Sequence, residues 1–220
     1  MLPPPALQQA LQGVALIPLR GPWYRAVIYE SLVGRAPGAP PGARVQPLWS
    51  GGAARGGARF TPKATAGGAG GGAAAIQSLY LAEDERTPLM QIAGVLRPLG
   101  SPVPLLFPPQ VMMTVDGVLT DVLDVTDVAV QRLLGTFQQE LTGEWVVQQA
   151  TYLAGRTPMP PTQLLGVEAL GSGRIVGLRY PSSKNPSGVG VVVFPTRLVA
   201  SRQTLTVFNP APGRLQQSLP

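Results

Sequence analysis

The chain has 220 residues, 45% of them hydrophobic, which suits one domain with an ample core. Seventeen basic and eleven acidic residues give a net charge of +6 and favour an anionic partner such as a nucleotide, a nucleic acid or an acidic protein. Cysteine and histidine are both absent, which excludes disulfides, Cys/His zinc sites and Ser-His-Asp or Cys-His catalysis, and leaves carboxylates, hydroxyls, amines, guanidinium groups and the backbone for any chemistry.

The first half of the chain predicts one helix and two strands, separated by loops rich in glycine and proline. Apolar residues at helical spacing indicate a short amphipathic helix, and the stretches "WYRAVIY" and "IQSLYLA" are typical of strands. The run that ends in "GGAGGGAAA" predicts a flexible insertion, because its residues bury little area. In chain order, we expect a helix over 6–15, a strand over 23–29, a Pro/Gly loop over 34–47, a Gly-rich insertion around 64–75 and a strand over 76–82.

The second half predicts further helices and strands in mixed order. Thr87 followed by Pro88 is typical of a helix N-cap and a first helical position, and the Asp-Gly pair in "QVMMTVDGVLTDVLDV" is typical of a hairpin turn. Helices are expected over 88–96, 126–134 and 161–170. Strands are expected on either side of the Asp-Gly pair, in "RIVGLRY" and "VGVVVFP", and over 204–208.

These elements do not alternate regularly, so the predicted fold class is α+β. We expect a single domain over 21–208, an N-terminal helical extension over 1–20 and a tail over 209–220. The N-terminus lacks the basic region of a signal peptide and no run of 18 apolar residues occurs, so we expect a cytoplasmic protein with no membrane partner. Only two of the basic residues are lysines and no basic run occurs, which makes direct nucleic-acid binding the weakest partner class.

One arginine lies within an unusual run of glycine. In "GGARFTPKAT", residues 56–65, two consecutive glycines and one alanine directly precede Arg59. Glycine lets backbone and ligand approach closely, and a guanidinium group can fork onto a carboxylate or a phosphate. The alternative is an ordinary surface loop. No Gly-Lys-Ser/Thr sequence closes the run, so it does not predict a phosphate loop.

Four motifs occur in the order and character of a known family: "WYRA", "GGARFTPK", "SLYLAED" and, after a helix, "GLRYPSSKNPSGVGVVVFP". As an ordered set over roughly residues 20–200, they resemble the RES domain, the toxin component of bacterial toxin–antitoxin pairs. The resemblance implies an ADP-ribosyltransferase-like fold with split and twisted mixed β-sheets flanked by short helices. It also implies NAD⁺ as the substrate without a metal, and a helix-turn-helix antitoxin encoded nearby. Family members cleave NAD⁺ with water or phosphate, or transfer ADP-ribose to a protein target.

The resemblance also assigns residues that would bind NAD⁺. Arg25 in "YRA" and Arg59 in "GARF" match the two family arginines and would hold the pyrophosphate. Tyr24 and Tyr80 would offer aromatic faces to the nicotinamide. Without the family, the residues alone favour an exposed strand position for Arg25 and an ordinary core aromatic for Tyr80.

Three further positions follow from the resemblance. Ser182 in "YPSS" matches the family serine at a strand end, with Ser183 directly after it. Gln163 matches a glutamine common in the family and lies on a predicted helix. Val146 occupies a position where some members carry serine, if Trp145 is the family tryptophan. The stretch "VVQQATYLAGRTPMP" that begins there is interpreted as an insertion.

The chain departs from the family at the position of its glutamate. The helix after "YLA" carries Gln91 there, and a neutral amide cannot stabilise a developing positive charge as a carboxylate does. Gln91, Ser182 and Tyr80 are therefore the catalytic candidates. The acidic run over 83–85, in the turn before that helix, is either a solvated patch or a relocated catalytic carboxylate.

Two hypotheses from different functional classes remain open. The first is a protein that binds and consumes NAD⁺, as a glycohydrolase, a phosphorylase or an ADP-ribosyltransferase. The second is a catalytically degenerate RES-like module that binds a nucleotide or a protein partner without turnover. Gln91 divides the two hypotheses, because an inactive site tolerates an amide. The acceptor group and the oligomeric state do not follow from the sequence.

Overall fold

The computed structural model describes residues 1–35, 42, 44–64, 76–96, 108–207 and 217–220, and the Gly-rich insertion predicted around 64–75 lies outside them apart from Ala64. The described helices are α1 Pro4–Gly13, α2 Tyr29–Val33, α3 Gly51–Gly56, α4 Arg86–Leu96, α5 Val128–Leu133, α6 Gln138–Thr142, α7 Trp145–Leu153 and α8 Pro161–Gly171, with a 3₁₀ turn at Pro195–Arg197. The described strands are β1 Ile17–Arg20, β2 Trp23–Ile28, β3 Leu79–Ala82, β4 Gln110–Asp124, β5 Gly177–Pro181, β6 Val189–Val193, β7 Thr204–Val207 and β8 Gln217–Leu219.

The strands form one mixed sheet in which most neighbours are antiparallel. The order is β2-β3-β6-β5-β4-β7-β8, β1 also pairs with β4, and β4 and β5 are parallel. Because β2 pairs with both β3 and β4, the strands β2, β3, β6, β5 and β4 form a closed ring of pairings. The predicted α+β class, with a mixed sheet flanked by short helices, is confirmed.

Two buried clusters lie on the two sides of this ring, since side chains alternate between faces along each strand. The inner cluster consists of Trp23, Leu48, Leu79, Leu81, Met113, Val115, Leu119, Val122, Val176, Val191, Val193, Leu205 and Val207. The outer cluster consists of Leu7, Leu11, Val14, Phe60, Ile76, Leu123, Val125, Leu134, Leu141, Leu165, Ala169, Ile175, Leu178, Tyr180, Val192 and Phe194, with Tyr80 packed against it. The outer cluster therefore joins the sheet to α1, α6 and α8.

Strand β4 corrects one prediction from the sequence. The hairpin expected at Asp116-Gly117 is wrong, because Gln110–Asp124 is a single continuous strand. Gly117 pairs with Leu205 of β7 in place of turning. A Cβ atom at Gly117 would lie 2.9 Å from the carbonyl carbon of Thr204, so glycine is needed here for a close approach of strands.

Both ends of the described chain join the same fold. Leu7 and Leu11 of α1 are fully buried in the outer cluster, and β1 pairs with β4. Strand β8, which falls in the predicted tail, pairs with β7. Of the stretch interpreted as an insertion after Trp145, residues 146–153 belong to α7 and residues 154–160 follow it as a turn and loop. No helix in the described part of the chain is both long enough and apolar enough to cross a membrane.

Candidate functional site

Arg59 is presented by a tight hairpin of residues 57–61, here called the Arg59 hairpin. Ala58 and Thr61 exchange two backbone hydrogen bonds, with N···O distances of 2.7 and 3.1 Å. Gly57 has a φ of +79°, a conformation that favours glycine. The glycine before Arg59 therefore serves the turn that presents the arginine.

Arg59 is a buried cation without a carboxylate partner. The residue is 8% exposed, and no ion pair among the described residues involves it. Nη1 donates to the carbonyl oxygens of Leu141 and Gly143 at 2.8 and 2.9 Å, and Nη2 donates to Ser183 Oγ at 2.6 Å. Burial lowers the pKa of the guanidinium group, while two nearby tyrosines and one carboxylate raise it. All three hydrogen-bond acceptors of Arg59 among the described residues are therefore neutral.

An aromatic group packs beside this hairpin. The Tyr180 ring centroid lies 4.7 Å from that of Phe60 and 6.5 Å from that of Tyr80. The Tyr80 hydroxyl accepts from the Phe60 backbone N–H and is hydrogen-bonded to Thr61 Oγ1, both at 3.0 Å, and Thr61 Oγ1 also contacts Ser78 Oγ. Burial raises the pKa of Tyr80 to about 12 and also raises the pKa of Tyr180. Both phenols are therefore neutral at neutral pH.

Tyr80→Phe should lower the free energy of unfolding by about 1–2 kcal/mol at neutral pH, because the buried Phe60 N–H loses its acceptor. The variant should also lose a pH dependence. The folded-state pKa of Tyr80 is raised from 10 to about 12, so its contribution is complete below pH 10 and disappears as the pH rises to 12. This contribution is about 2 kcal/mol. Urea unfolding of the wild type and Tyr80→Phe between pH 9 and 12 measures this contribution as the difference between their free energies of unfolding. A difference that stays constant over this pH range would contradict the expectation.

Gln91 lies on α4, which packs against β2, β3 and β6. Its Nε2 donates to the Tyr180 hydroxyl at 3.5 Å, the long limit for a hydrogen bond. Tyr180 also packs against Tyr80. Burial raises the pKa of the Tyr180 phenol, and the nearby Arg59 cation lowers it in part. The structure therefore brings Gln91, Tyr80 and Arg59 around one tyrosine ring.

The acidic run over 83–85 has other partners. Both carboxylate oxygens of Glu83 accept from the Arg179 guanidinium group, at 2.6 and 2.9 Å. The Asp84 carboxylate accepts from Thr87 N–H at 2.8 Å and from Thr87 Oγ1 at 2.6 Å. Asp84 thus caps α4, and Thr87, the predicted N-cap, is itself the capped residue. Glu85 is exposed.

Ser182 and Ser183 have different environments. The Ser182 hydroxyl is buried and accepts from the backbone N–H groups of Lys184 and Asn185, at 3.3 and 3.2 Å. It stabilises the turn after β5. The hydroxyl that contacts Arg59 belongs to Ser183.

Arg25 and Tyr24 leave β2 on opposite sides. Arg25 follows Trp23 by two residues and so leaves on the inner side, whereas Tyr24 leaves on the outer side. Arg25 Nη2 donates to the Trp49 carbonyl oxygen at 2.8 Å, and its Nη1 is buried without a partner among the described residues. Desolvation lowers the pKa of Arg25 to about 10. Arg25 and Arg59 have no contact residue in common among the described residues, so these contacts leave the expectation that both hold one pyrophosphate untested.

Gln163 is fully buried on α8 and holds the Arg59 hairpin. Its Nε2 lies within hydrogen-bond distance of the carbonyl oxygens of Ala58 and Thr61, at 3.0 and 3.4 Å, and of Gln149 Oε1 at 2.7 Å. Its role here is to fix the backbone of the hairpin. Val146 is an exposed residue of α7.

Sequence reasoning missed residues that surround Arg59. Tyr180 and Ser183 stand in the quoted "GLRYPSS" motif, but only the structure shows that they face this arginine. Glu144 directly follows a carbonyl that Arg59 contacts, and it pairs with Lys184 at 3.3 Å. No motif marks Glu144. Among the described residues, no group of acidic side chains could hold a metal ion.

The chain was compared with protein-family models. The RES domain family model matches residues 32–210. The chain belongs to the RES domain family. Arg59, Tyr80 and Gln91 of this RES domain lie within the matched range, whereas Tyr24 and Arg25 precede it.

A solved structure shares the fold of this RES domain. It is a chain of the crystal structure of the M. tuberculosis MbcT–MbcA toxin–antitoxin complex, with a TM-score of 0.60 and 18% sequence identity. The alignment covers 97% of this chain and 91% of that chain. At this identity the likeness concerns the fold. The comparison with curated proteins gives no significant match.

Proposed function

We propose that this RES domain binds NAD⁺ beside Arg59 and cleaves the bond between nicotinamide and ribose. The observation that carries the proposal is the buried Arg59 guanidinium group, which has no carboxylate partner among the described residues and lies next to the Tyr80–Tyr180 pair. A buried cation that makes no ion pair is costly, and the Glu144 carboxylate acts on Arg59 without forming one. The pyrophosphate of NAD⁺ supplies that counter-charge in a geometry that suits a guanidinium fork.

The chemistry of NAD⁺ cleavage needs the groups that this composition retains. The bond between ribose C1′ and the nicotinamide nitrogen breaks with its electron pair leaving on nicotinamide, through an oxocarbenium-like state as in glycoside cleavage. Water, phosphate or a protein side chain then attacks C1′. This reaction needs cations for the pyrophosphate, an aromatic face for nicotinamide and polar groups near the ribose. Neither cysteine nor histidine is required, and the chain has neither.

Three of the candidate residues, Arg59, Tyr24 and Tyr80, have a proposed role in binding NAD⁺. Arg59 binds the pyrophosphate, with the Ser183 hydroxyl holding its guanidinium plane. We assign Arg25 no contact with this ligand, because its side chain leaves β2 on the inner side, whereas Arg59 lies beside Phe60 and Tyr180 of the outer cluster. Tyr24 and Tyr80 bound the nicotinamide on the outer side of the ring of strands.

The degenerate module is the second candidate function. The observation that favours it is the neutral Gln91 amide, which already donates to the Tyr180 hydroxyl. With an amide there, the developing positive charge of the ribose has no carboxylate at that position. In this alternative, the site binds a nucleotide or a protein segment and does not turn it over.

We also propose an antitoxin partner of the helix-turn-helix class. The support is that the fold-related chain comes from a toxin–antitoxin complex. The net charge of +6 suits an acidic partner segment that would enter the site beside Arg59. Co-expression with the product of a neighbouring gene tests this: a complex that dissociates at high salt is expected, and separate elution at low salt would contradict it.

NAD⁺ consumption by the purified protein is the direct test of the enzymatic proposal. Chromatography of the products distinguishes ADP-ribose, its phosphate ester and an ADP-ribosylated protein, and so identifies the acceptor. Loss of NAD⁺ with release of nicotinamide is the expected result. Binding without loss would favour the degenerate module, and neither binding nor loss would contradict both.

A further inference from the structure

Helix α7 directs one buried polar side chain at the Arg59 hairpin. Gln149 is 7% exposed, whereas its neighbour Gln148 faces solvent. Gln149 Nε2 donates to the carbonyl oxygen of Gly56 at 3.2 Å. Helix α7, in the stretch interpreted as an insertion, therefore contacts the turn that carries Arg59.

The fit between this amide and the turn is tight. A Cβ atom at Gly57 would lie 2.6 Å from Gln149 Cδ and closer still to Oε1. The amide group thus occupies the space that any side chain at position 57 would need. Because Gly57 also has a φ of +79°, its backbone conformation and its contact with Gln149 both select glycine.

A second buried amide fixes the orientation of the first. Gln163 Nε2 donates to Gln149 Oε1 at 2.7 Å, and the same nitrogen lies 3.0 Å from the Ala58 carbonyl oxygen. The two glutamines therefore tie α7 and α8 to the backbone on each side of Gly57. Arg59 is two residues beyond that point.

We infer that Gln149 is a positioning residue for Arg59, acting through the Gly56–Gly57 backbone. The inference rests on the proposed function, in which Arg59 binds the pyrophosphate of NAD⁺. Without the Gln149 amide, the carbonyl of Gly56 and the buried amide of Gln163 each lose a hydrogen-bond partner, and the turn is free to shift. Since small misplacements of a binding group are costly, NAD⁺ affinity should fall roughly tenfold.

A double-variant cycle on the full chain distinguishes positioning from general support of the fold. NAD⁺ binding is measured by calorimetry for the wild type, Gln149→Ala, Arg59→Lys and the double variant, with Gln148→Ala as the matched exposed control. Gln149→Ala should weaken binding, and it should add little in the Arg59→Lys background, because the benefit of a positioned fork is already lost. Gln148→Ala should bind as the wild type does. Gln149→Met, which keeps the side-chain length without its hydrogen bonds, replaces Gln149→Ala if that variant does not fold.

Amide hydrogen exchange supplies a readout that does not need a ligand. The backbone N–H groups of Ala58 and Thr61 should exchange at least tenfold faster in Gln149→Ala than in the wild type, while those of β6 remain unchanged. Two results would overturn this inference and leave the proposed function standing. One is equal NAD⁺ affinity for the wild type and Gln149→Ala, and the other is a double variant whose affinity loss is the product of the losses of the two single variants. A wild type that binds no NAD⁺ would overturn the proposed function and the inference with it.

Discussion

Gly166→Ala should lower the free energy of unfolding by about 3 kcal/mol, although alanine is the better helix former. Gly166 lies within α8, where its backbone has an ordinary helical conformation. A Cβ atom there would lie 2.8 Å from the carbonyl carbon of Phe60 and closer still to the carbonyl oxygen. The clash is with backbone, so the Arg59 hairpin must move away from α8. Packing therefore reverses the sign that helix propensity alone predicts.

Chemical and thermal unfolding measure this effect. A loss of about 3 kcal/mol corresponds to a fall of about 6–12 °C in the melting temperature for a domain of this size. Gly171→Ala on the same helix is the matched control, because its nearest neighbour is the flexible Gln8 side chain at 3.2 Å. The control should change stability by less than about 1 kcal/mol. An unchanged or raised stability of Gly166→Ala would show that the hairpin does not pack on α8 as described.

Gln91→Glu should raise the rate of NAD⁺ cleavage about a hundredfold, which corresponds to about 3 kcal/mol of transition-state stabilisation. The change is nearly isosteric and places a carboxylate at the position that the resemblance assigns to the family glutamate. The structure accommodates it, because the Tyr180 hydroxyl can donate to a carboxylate in place of accepting from the amide. The gain should disappear as the pH falls through the range in which a carboxyl group becomes protonated.

Two controls separate a local charge effect from a general one. Leu89→Glu adds the same charge to an exposed position on the same helix, two residues away, and should leave the rate unchanged. Gln91→Met keeps the size of the side chain without charge and should be no faster than the wild type. Brisk wild-type turnover that Gln91→Glu leaves unchanged would mean that another group carries the negative charge. Glu144, whose charge raises the pKa of Arg59, is then the first residue to test.

The sequence predicted the elements whose signals are local. Strands β2 and β3 were predicted from stretches rich in aromatic and aliphatic residues. Helix α8 was predicted from a proline at its start and a glycine at its end. Strand β4 was missed because an Asp-Gly pair is a hairpin signal only when the flanking strands pair with each other. Here the partners come from β1, β2, β5 and β7, and a local pattern does not specify distant partners.

In the candidate site, too, local signals could be predicted and contacts between distant residues could not. Arg59 stands out by its glycine neighbours, and the motif around Ser182 includes Ser183, which makes the contact with Arg59. The acceptors of Arg59 could not be predicted, because Leu141 lies 82 residues further along the chain and is recognised through its carbonyl oxygen. Gln149 gave no signal for the same reason: one buried amide on a helix has no distinctive pattern.

The central claim is that NAD⁺ binds at Arg59, and a calorimetric titration of NAD⁺ into the wild type, Arg59→Ala and Arg156→Ala tests it most directly. Arg156 is exposed, so its removal changes the net charge equally without touching the site. We expect saturable binding by the wild type and by Arg156→Ala. We expect Arg59→Ala to bind at least tenfold more weakly, since it loses a charge-assisted fork. No binding by the wild type, or equal binding by all three proteins, would contradict the account.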